Sequence, residues 1–293
     1  MSFAIVTDTS ANLPTALTRK RGVTVIPYFY TVDGAELACT DTGEFHGSAF
    51  YEAMRRGAAV TTTQITPHRY INALRPLLAE GQDLLFVSMS SGISGSYQSS
   101  VIAAEALREE FPERTVRTVD SLGASLGEGL LVLEALRCRD EEGISLCDTE
   151  ARLLSLRRRM CQVFTVEDLQ YLRRGGRLSN MAAIVGTVLN IKPLLKGNEE
   201  GKIVSTARVR GRKRSIEALA ARYDALVKDP ETQTVGIAHA DCAGDAAYLM
   251  KLLRHGKAPK DILTVCYEPV TGSHVGPGTL ALFFLGDEDV RSK

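Results

Sequence analysis

The 293-residue sequence predicts an α/β protein with an N-terminal parallel-sheet α/β/α domain and a C-terminal mixed-sheet α+β domain. Two observations predict the first domain. Short apolar runs alternate with helical apolar spacing, and the runs end in small polar residues. A third predicts the second domain: beyond about residue 160, strand-like runs pair around glycines. The limits read from this change are 1–160 and 161–293.

Taken in order, Ala4-Ile5-Val6 is a strand leading into Thr7-Asp8-Thr9-Ser10, with a short helix after Pro14. Val23–Tyr30 is β-branched and aromatic and reads as a second strand despite Pro27. Leu84–Val87 and Thr115–Val119 are the third and fourth. Between them Pro67–Glu80, Tyr97–Glu110 and Ala124–Arg139 have helical spacing, and Thr66-Pro67 is a capped helix start. In the second half, Gln162–Val166 is a strand and Glu167–Arg174 a short helix ending at Gly175-Gly176. Asn180–Leu189 is an apolar helix. Ile191–Leu195 and Lys202–Arg210 alternate like strands around Gly197–Gly201, and Lys213–Lys228 is a helix. Val235–His239, Ile262–Tyr267 and Thr279–Leu285 add strands, and Asp245–Arg254 a helix.

Composition excludes several classes. With 44% hydrophobic and 24% charged residues the chain is neither disordered nor fibrous. Its longest apolar stretches fall short of the roughly 20 residues of a membrane span. MSFAIVTDTS reads as a strand rather than a secretory leader, so a cytoplasmic location is expected. Six scattered cysteines without CxxC or Cys/His spacing read as reduced thiols rather than disulfides or a zinc site. The net charge of zero is uneven: residues 1–150 carry −8, 151–214 carry +11 and the remainder −3. The cationic stretch is either a set of solvated helix faces or a docking face for an anionic partner.

No phosphate loop, GxGxxG, HExxH or GxSxG elbow occurs. Neither a metal nor an organic cofactor is therefore expected. Three features stand out. Ser88-Met89-Ser90-Ser91-Gly92-Ile93-Ser94-Gly95-Ser96 joins a strand end to a helix start, where free N–H groups favour an anion; an ordinary capped turn is the plain alternative. Asp8-Thr9-Ser10 and Asp120-Ser121 end neighbouring strands and are expected in the same crevice. Val60-Thr61-Thr62-Thr63-Gln64 is a hydroxyl run. Gly272-Ser273-His274-Val275-Gly276-Pro277-Gly278 reads as a rigid turn that aims one imidazole.

The stretches AIVTDTSANLP, TTTQITP, SSGISGSYQSS, VDSLGASLGEG, LQYLRRGGRLS, TVLNIKPLLKGNEEGKI, ARVRGRKRS and GSHVGPGTLALFF occur in this order and nearly span the chain. Together they resemble the DegV family, which includes the fatty acid-binding (FakB-type) subunits of bacterial fatty acid kinase. The resemblance implies a DegV-like fold with a long-chain fatty acid between two domains. It implies that Thr62 and Ser94 hold the carboxylate, with His274 nearby. Thr63 stands where the family motif has Ser, and keeps the hydroxyl. Arg177, Arg208 and Arg210 are implied as contacts for an ATP-binding kinase subunit that makes acyl phosphate. The chain is then a non-catalytic carrier with no nucleic-acid partner and at most transient membrane contact. The alternative is a serine-dependent acyl hydrolase using Ser94 and His274.

Overall fold

The computed structural model describes residues 3–39, 42, 45–179 and 190–293. Strands β1 (Ala4–Asp8) and β2 (Val23–Ile26) begin one sheet. β3 (Phe29–Val32), β4 (Ala35–Ala38) and β5 (Val60–Thr63) form a small antiparallel one. β6 (Leu84–Ser88) and β7 (Val116–Asp120) complete the first, in the order β2-β1-β6-β7 with every pair parallel. Its helices are α1 (Thr15–Lys20), α2 (Gly47–Arg55), α3 (Pro67–Ala79), α4 (Ser96–Glu110), α5 (Leu126–Asp140) and α6 (Leu146–Arg159). β1 and β6 are buried along their whole length, as parallel strands covered on both faces must be. Between them the strand order reverses direction, which opens a crevice at their carboxyl ends.

The second sheet uses β8 (Met160–Thr165), β9 (Ile191–Gly197), β10 (Ile203–Arg210), β11 (Thr234–His239), β12 (Asp261–Cys266) and β13 (Leu280–Leu285). The order is β10-β9-β8-β13-β11-β12, antiparallel except for β11 with β12. α7 (Gln170–Arg174), α8 (Arg212–Leu226), α9 (Ala243–His255) and α10 (Pro269–Val275) complete this half. Side chains alternate along β8. Cys161 and Val163 pack with Ile216, Leu219 and Leu249 under α8 and α9. Met160 and Phe164 turn the other way, into a cluster that reaches Leu131 and Val132 of α5 and Ile5 and Leu85 of the first sheet. The two sheets therefore share one core through α5.

Three expectations need correction. Val23–Tyr30 is not one strand. Pro27 has no N–H for a ladder, so the chain leaves the parallel sheet after Ile26 and restarts at Phe29 in the small sheet. Neither the β3–β4 hairpin nor α2 was expected. Second, Gly272–His274 is helical, not a turn. Pro269 starts α10, whose cap is the Glu268 carboxylate, accepting from Val270 N–H (2.5 Å) and Thr271 N–H (2.7 Å); Gly276, with φ +82°, ends it. Third, the helix expected over Glu167–Arg174 spans only Gln170–Arg174. The helix expected over Asn180–Leu189 lies outside the described residues. Among the described residues no helix is long and apolar enough to cross a membrane.

Candidate functional site

A cavity of about 310 Å³ lies between the two sheets at the crevice. Met89, Ile93, Phe164, Leu172, Val270 and Phe283 make much of its wall apolar. Thr62, Ser94 and His274 line it too, so the structure brings together the three residues that the family resemblance pointed to.

Each arrives from a different element. β5 alternates in exposure, which turns Thr62 inward while Thr61 and Thr63 face outward. The last turn of α10 brings His274 against it, with Thr62 Oγ1 and His274 Nε2 2.7 Å apart. Burial, and secondarily the positive charge of Arg177, push the His274 imidazole down to about 4. The ring is therefore neutral at pH 7. Ser94 sits in the loop before α4, where its Oγ accepts from Ser96 N–H (3.2 Å) and lies 3.1 Å from Ser96 Oγ. Tyr28 Oη approaches the same oxygen at 3.3 Å. Tyr28 belongs to the site and was not singled out from the sequence. Its signal was Pro27, which breaks the strand and frees the next side chain to turn inward.

The pairing a Ser94–His274 hydrolase requires is not formed. His274 bonds Thr62, whereas Ser94 belongs to the Tyr28–Ser96 group. Arg177, expected on an outer face with Arg208 and Arg210, lines the cavity as well as the groove outside it. Its Nε donates to Ile93 O (3.2 Å), and a terminal nitrogen donates to Gly175 O. Arg208 and Arg210 are exposed on β10. Outside the cavity, a groove of about 450 Å³ runs between β5, α7 and α10, and Arg174 lines it. Thr62, Arg177 and His274 line both spaces and so form the wall between them.

The other expected crevice residues fold their own loops. Asp120 accepts from Ser91 N–H (3.2 Å), Ser91 Oγ (2.6 Å) and Leu122 N–H (2.9 Å). Asp8 is fully buried against Ser10 and Glu128 and does not line the cavity. Each carboxylate at a strand end turned back to satisfy nearby donors, which sequence position alone does not reveal.

The β9–β10 hairpin closes the cavity from the second sheet. Ser90 Oγ donates to Gly201 O (2.9 Å), and Gly201 has φ +71° with its Cα hydrogen directed at Ser90. A methyl group there meets the Ser90 hydroxyl and the Leu122 backbone. Gly201→Ala is expected to destabilise the protein by about 2–3 kcal/mol, read as a lowered urea midpoint with unchanged slope.

The geometry defines a class: a two-domain α/β protein with a mostly apolar slot, polar at its hydroxyl–imidazole end. The profile of the DegV family, described as an uncharacterised protein family, matches residues 2–287, and the chain belongs to that family. A DegV domain-containing protein of Clostridium perfringens is 36% identical over 97% of this chain and 98% of its own. Among solved structures, a DegV family protein of Thermus thermophilus described for its fatty acid binding is 33% identical. It superposes with a TM-score of 0.87, covering 98% of this chain and 100% of that one. A fatty acid-binding DegV family protein of Streptococcus agalactiae is 30% identical, with a TM-score of 0.85 over 98% and 99% of the two chains.

Proposed function

We propose that this protein binds a long-chain fatty acid in the slot between its sheets and presents the carboxylate to a fatty acid kinase subunit. The observation that carries the reading is one cavity whose walls are largely apolar and whose lining, among the described residues, has hydroxyl, imidazole and guanidinium groups at the Thr62–His274 end and no carboxylate. The full-length likeness to fatty acid-binding family members supports it.

With its proton on Nε2, neutral His274 donates to Thr62 Oγ1, and that tautomer leaves the Thr62 proton for a ligand oxygen. Tyr28 Oη and Ser94 Oγ lie 3.3 Å apart, and with Tyr28 as donor the Ser94 proton can turn from Ser96 to the other ligand oxygen. A carboxylate held by two such hydroxyls is well solvated without bulk water. Arg177, also at the cavity wall, adds positive charge. Burying roughly sixteen methylenes at about 0.8 kcal/mol each places an upper limit near 13 kcal/mol on the apolar gain before binding losses. Such a ligand leaves slowly. A partner that reaches it in place is then useful, and the outer groove offers the approach.

In this reading the chain is a carrier and not a catalyst. Among the described residues no group of three or more His, Cys, Asp or Glu could hold a metal, and the ATP-handling groups belong to the partner. Arg177, Arg208 and Arg210 face that partner, and the acyl-phosphate product stays in the slot. The division at residues 160/161 belongs to the same reading: the start of β8 is where the chain passes from one sheet to the other.

Native mass spectrometry of the purified protein, then of its organic extract, tests the proposal. One fatty acid per chain is expected. Protein that is empty and takes up neither palmitate nor oleate overturns it.

A further inference from the structure

The basic segment LQYLRRGGRLS holds a cation that nothing so far uses. Arg177 lines both the slot and the outer groove, whereas Arg174 lines the groove alone. Arg174 is exposed in the last turn of α7. Its Nε donates to Gln170 O (3.3 Å) in its own helix, and its guanidinium lies 4.9 Å from the centre of the Tyr171 ring. Among the described residues no carboxylate pairs with it. Arg55, Arg75, Arg137 and Arg152 on α2, α3, α5 and α6 each have one.

The groove itself holds no acid. None of its described lining residues is Asp or Glu. The two acids just before α7 are engaged elsewhere: Glu167 pairs with Lys192, and Asp168 accepts from Gln170 N–H (2.8 Å). The groove therefore presents two guanidiniums, Arg174 and Arg177, in about 450 Å³ of space with no counter-charge.

Close packing carries these cations to the wall of the slot. A Cβ on Gly175 would overlap His274 Nδ1, and one on Gly276 would overlap the Tyr171 ring, so two glycines let α7 lie against the end of α10. Gly175 stands between Arg174 and Arg177 in the chain, and its seat against the imidazole brings both to the groove. The charge acts across the wall as well, since Arg177 adds to the burial that keeps His274 neutral.

Turnover would create a charge for this space. A carboxylate oxygen held at Thr62 bonds the terminal phosphorus of ATP as the phosphorus–oxygen bond to ADP breaks, and no proton has to move. The single charge of the carboxylate is then replaced by a phosphate of about two negative charges. That phosphate is attached to the oxygen at Thr62, and Thr62 lines both spaces. A largely apolar slot cannot solvate it, and a groove with two forked donors can.

We infer that the outer groove is a phosphoryl subsite, in which Arg174 together with Arg177 binds the phosphate of the acyl phosphate. This rests on the fatty acid reading above and deepens it.

Competition against a fluorescent fatty acid tests the subsite in the full-length protein. The probes are palmitate and a palmitoyl phosphonate in which a methylene replaces the bridging oxygen of the acyl phosphate. Wild type is expected to bind the phosphonate at least as tightly as palmitate. Arg174→Gln removes the charge and is expected to bind the phosphonate about five- to tenfold more weakly, with palmitate unchanged. Arg174→Lys keeps the charge without the fork and is expected to fall between the two. If wild type binds neither probe, the fatty acid reading fails and the subsite with it. If wild type binds palmitate but not the phosphonate, that reading stands and the subsite is refuted. Equal losses of both probes in Arg174→Gln refute it too, as does a Lys variant no better than the Gln variant. An Arg174→Gln protein that binds both probes like wild type but yields less acyl phosphate with the kinase subunit makes the groove a docking surface instead. ATP retained by palmitate-loaded wild type alone, and lost in Arg174→Gln, assigns the groove to the nucleotide and also overturns the inference. Should Arg174→Gln fail to fold, the wild-type comparison and Arg174→Lys still decide.

Discussion

A Thr62→Val protein is expected to fold normally and to hold fatty acid about ten- to a hundredfold more weakly than wild type. Valine keeps the shape of threonine and removes one hydroxyl. That hydroxyl joins His274 Nε2, 2.7 Å away, to the slot. A hydrogen bond to a charged group is worth about 1.5–3 kcal/mol, and the loss also removes the hydrogen-bond partner of His274 Nε2. Ser94→Ala removes the second donor, and the double variant should be emptied of lipid on purification. Equilibrium uptake of a fluorescent fatty acid, with thermal melting as a control for folding, checks both. Single and double variants that bind like wild type would remove Thr62 and Ser94 from the site. A fall in binding without a fall in melting temperature places the effect on the ligand.

The second large effect is on stability, and it runs against habit. The structure buries three carboxyl groups, Asp8, Glu128 and Glu268, each at 0% exposure. Ser10 Oγ contacts both Asp8 Oδ1 and Glu128 Oε2, the latter at 2.6 Å, and has one proton for the two. Thr7 Oγ1 lies between Val87 O (2.9 Å) and Glu128 Oε1 (2.8 Å), again with one proton. Two hydroxyl protons serve only two of these four contacts, and a proton on a carboxyl supplies a third. Burial, reinforced by the charge of Asp8, holds Glu128 well above the usual carboxylate range and makes it the protonated member. Burial raises Asp8 to about 6 and Glu268 to about 7.

For groups raised in the folded state, the stabilising contribution is complete below the unfolded value and is lost as pH rises through the folded one. The window therefore runs from about pH 4 to about pH 7. His274 opposes this. Its lowered value means stability falls as pH drops from 6.5 toward 4, and His239, lowered by burial, acts in the same direction, against three fully buried carboxyl groups. The protein is expected to melt at a higher temperature at pH 5.5 than at pH 7.5. Glu128→Gln keeps the shape and cannot ionise, so it should be more stable than wild type at pH 7.5, with a shallower pH slope. Melting curves at half-unit pH steps decide the matter. A slope unchanged by the substitution would show that Glu128 is not the group that holds the proton.

Much of this was legible in the sequence because it rests on local chemistry. The alternation of apolar runs with helices determined a parallel sheet in the first half, since strands buried on both faces must be apolar throughout. The glycines between 197 and 201 determined a hairpin, and Thr66-Pro67 a helix start, because cap and turn geometry depends on a few adjacent residues. The order of eight short motifs determined the family. Thr62, Ser94 and His274 could be named in advance through the family resemblance, whereas the hydroxyl run and the serine-rich turn alone singled out no one residue.

The tertiary structure decided what those residues do to one another. Whether His274 meets Thr62 or Ser94 depends on where α10 lies against β5, more than two hundred residues apart in sequence. Tyr28 entered the site only because Pro27 moved the chain from one sheet to another. Asp8 and Asp120 left it because donors from elsewhere closed around them. Arg174 looked like one cation in a basic stretch until Gly175 and Gly276 were seen to let α7 lie against α10 at the outer groove. Pattern and propensity act over a turn or a strand. A binding site depends on distances between elements, and these arise only when the whole core packs.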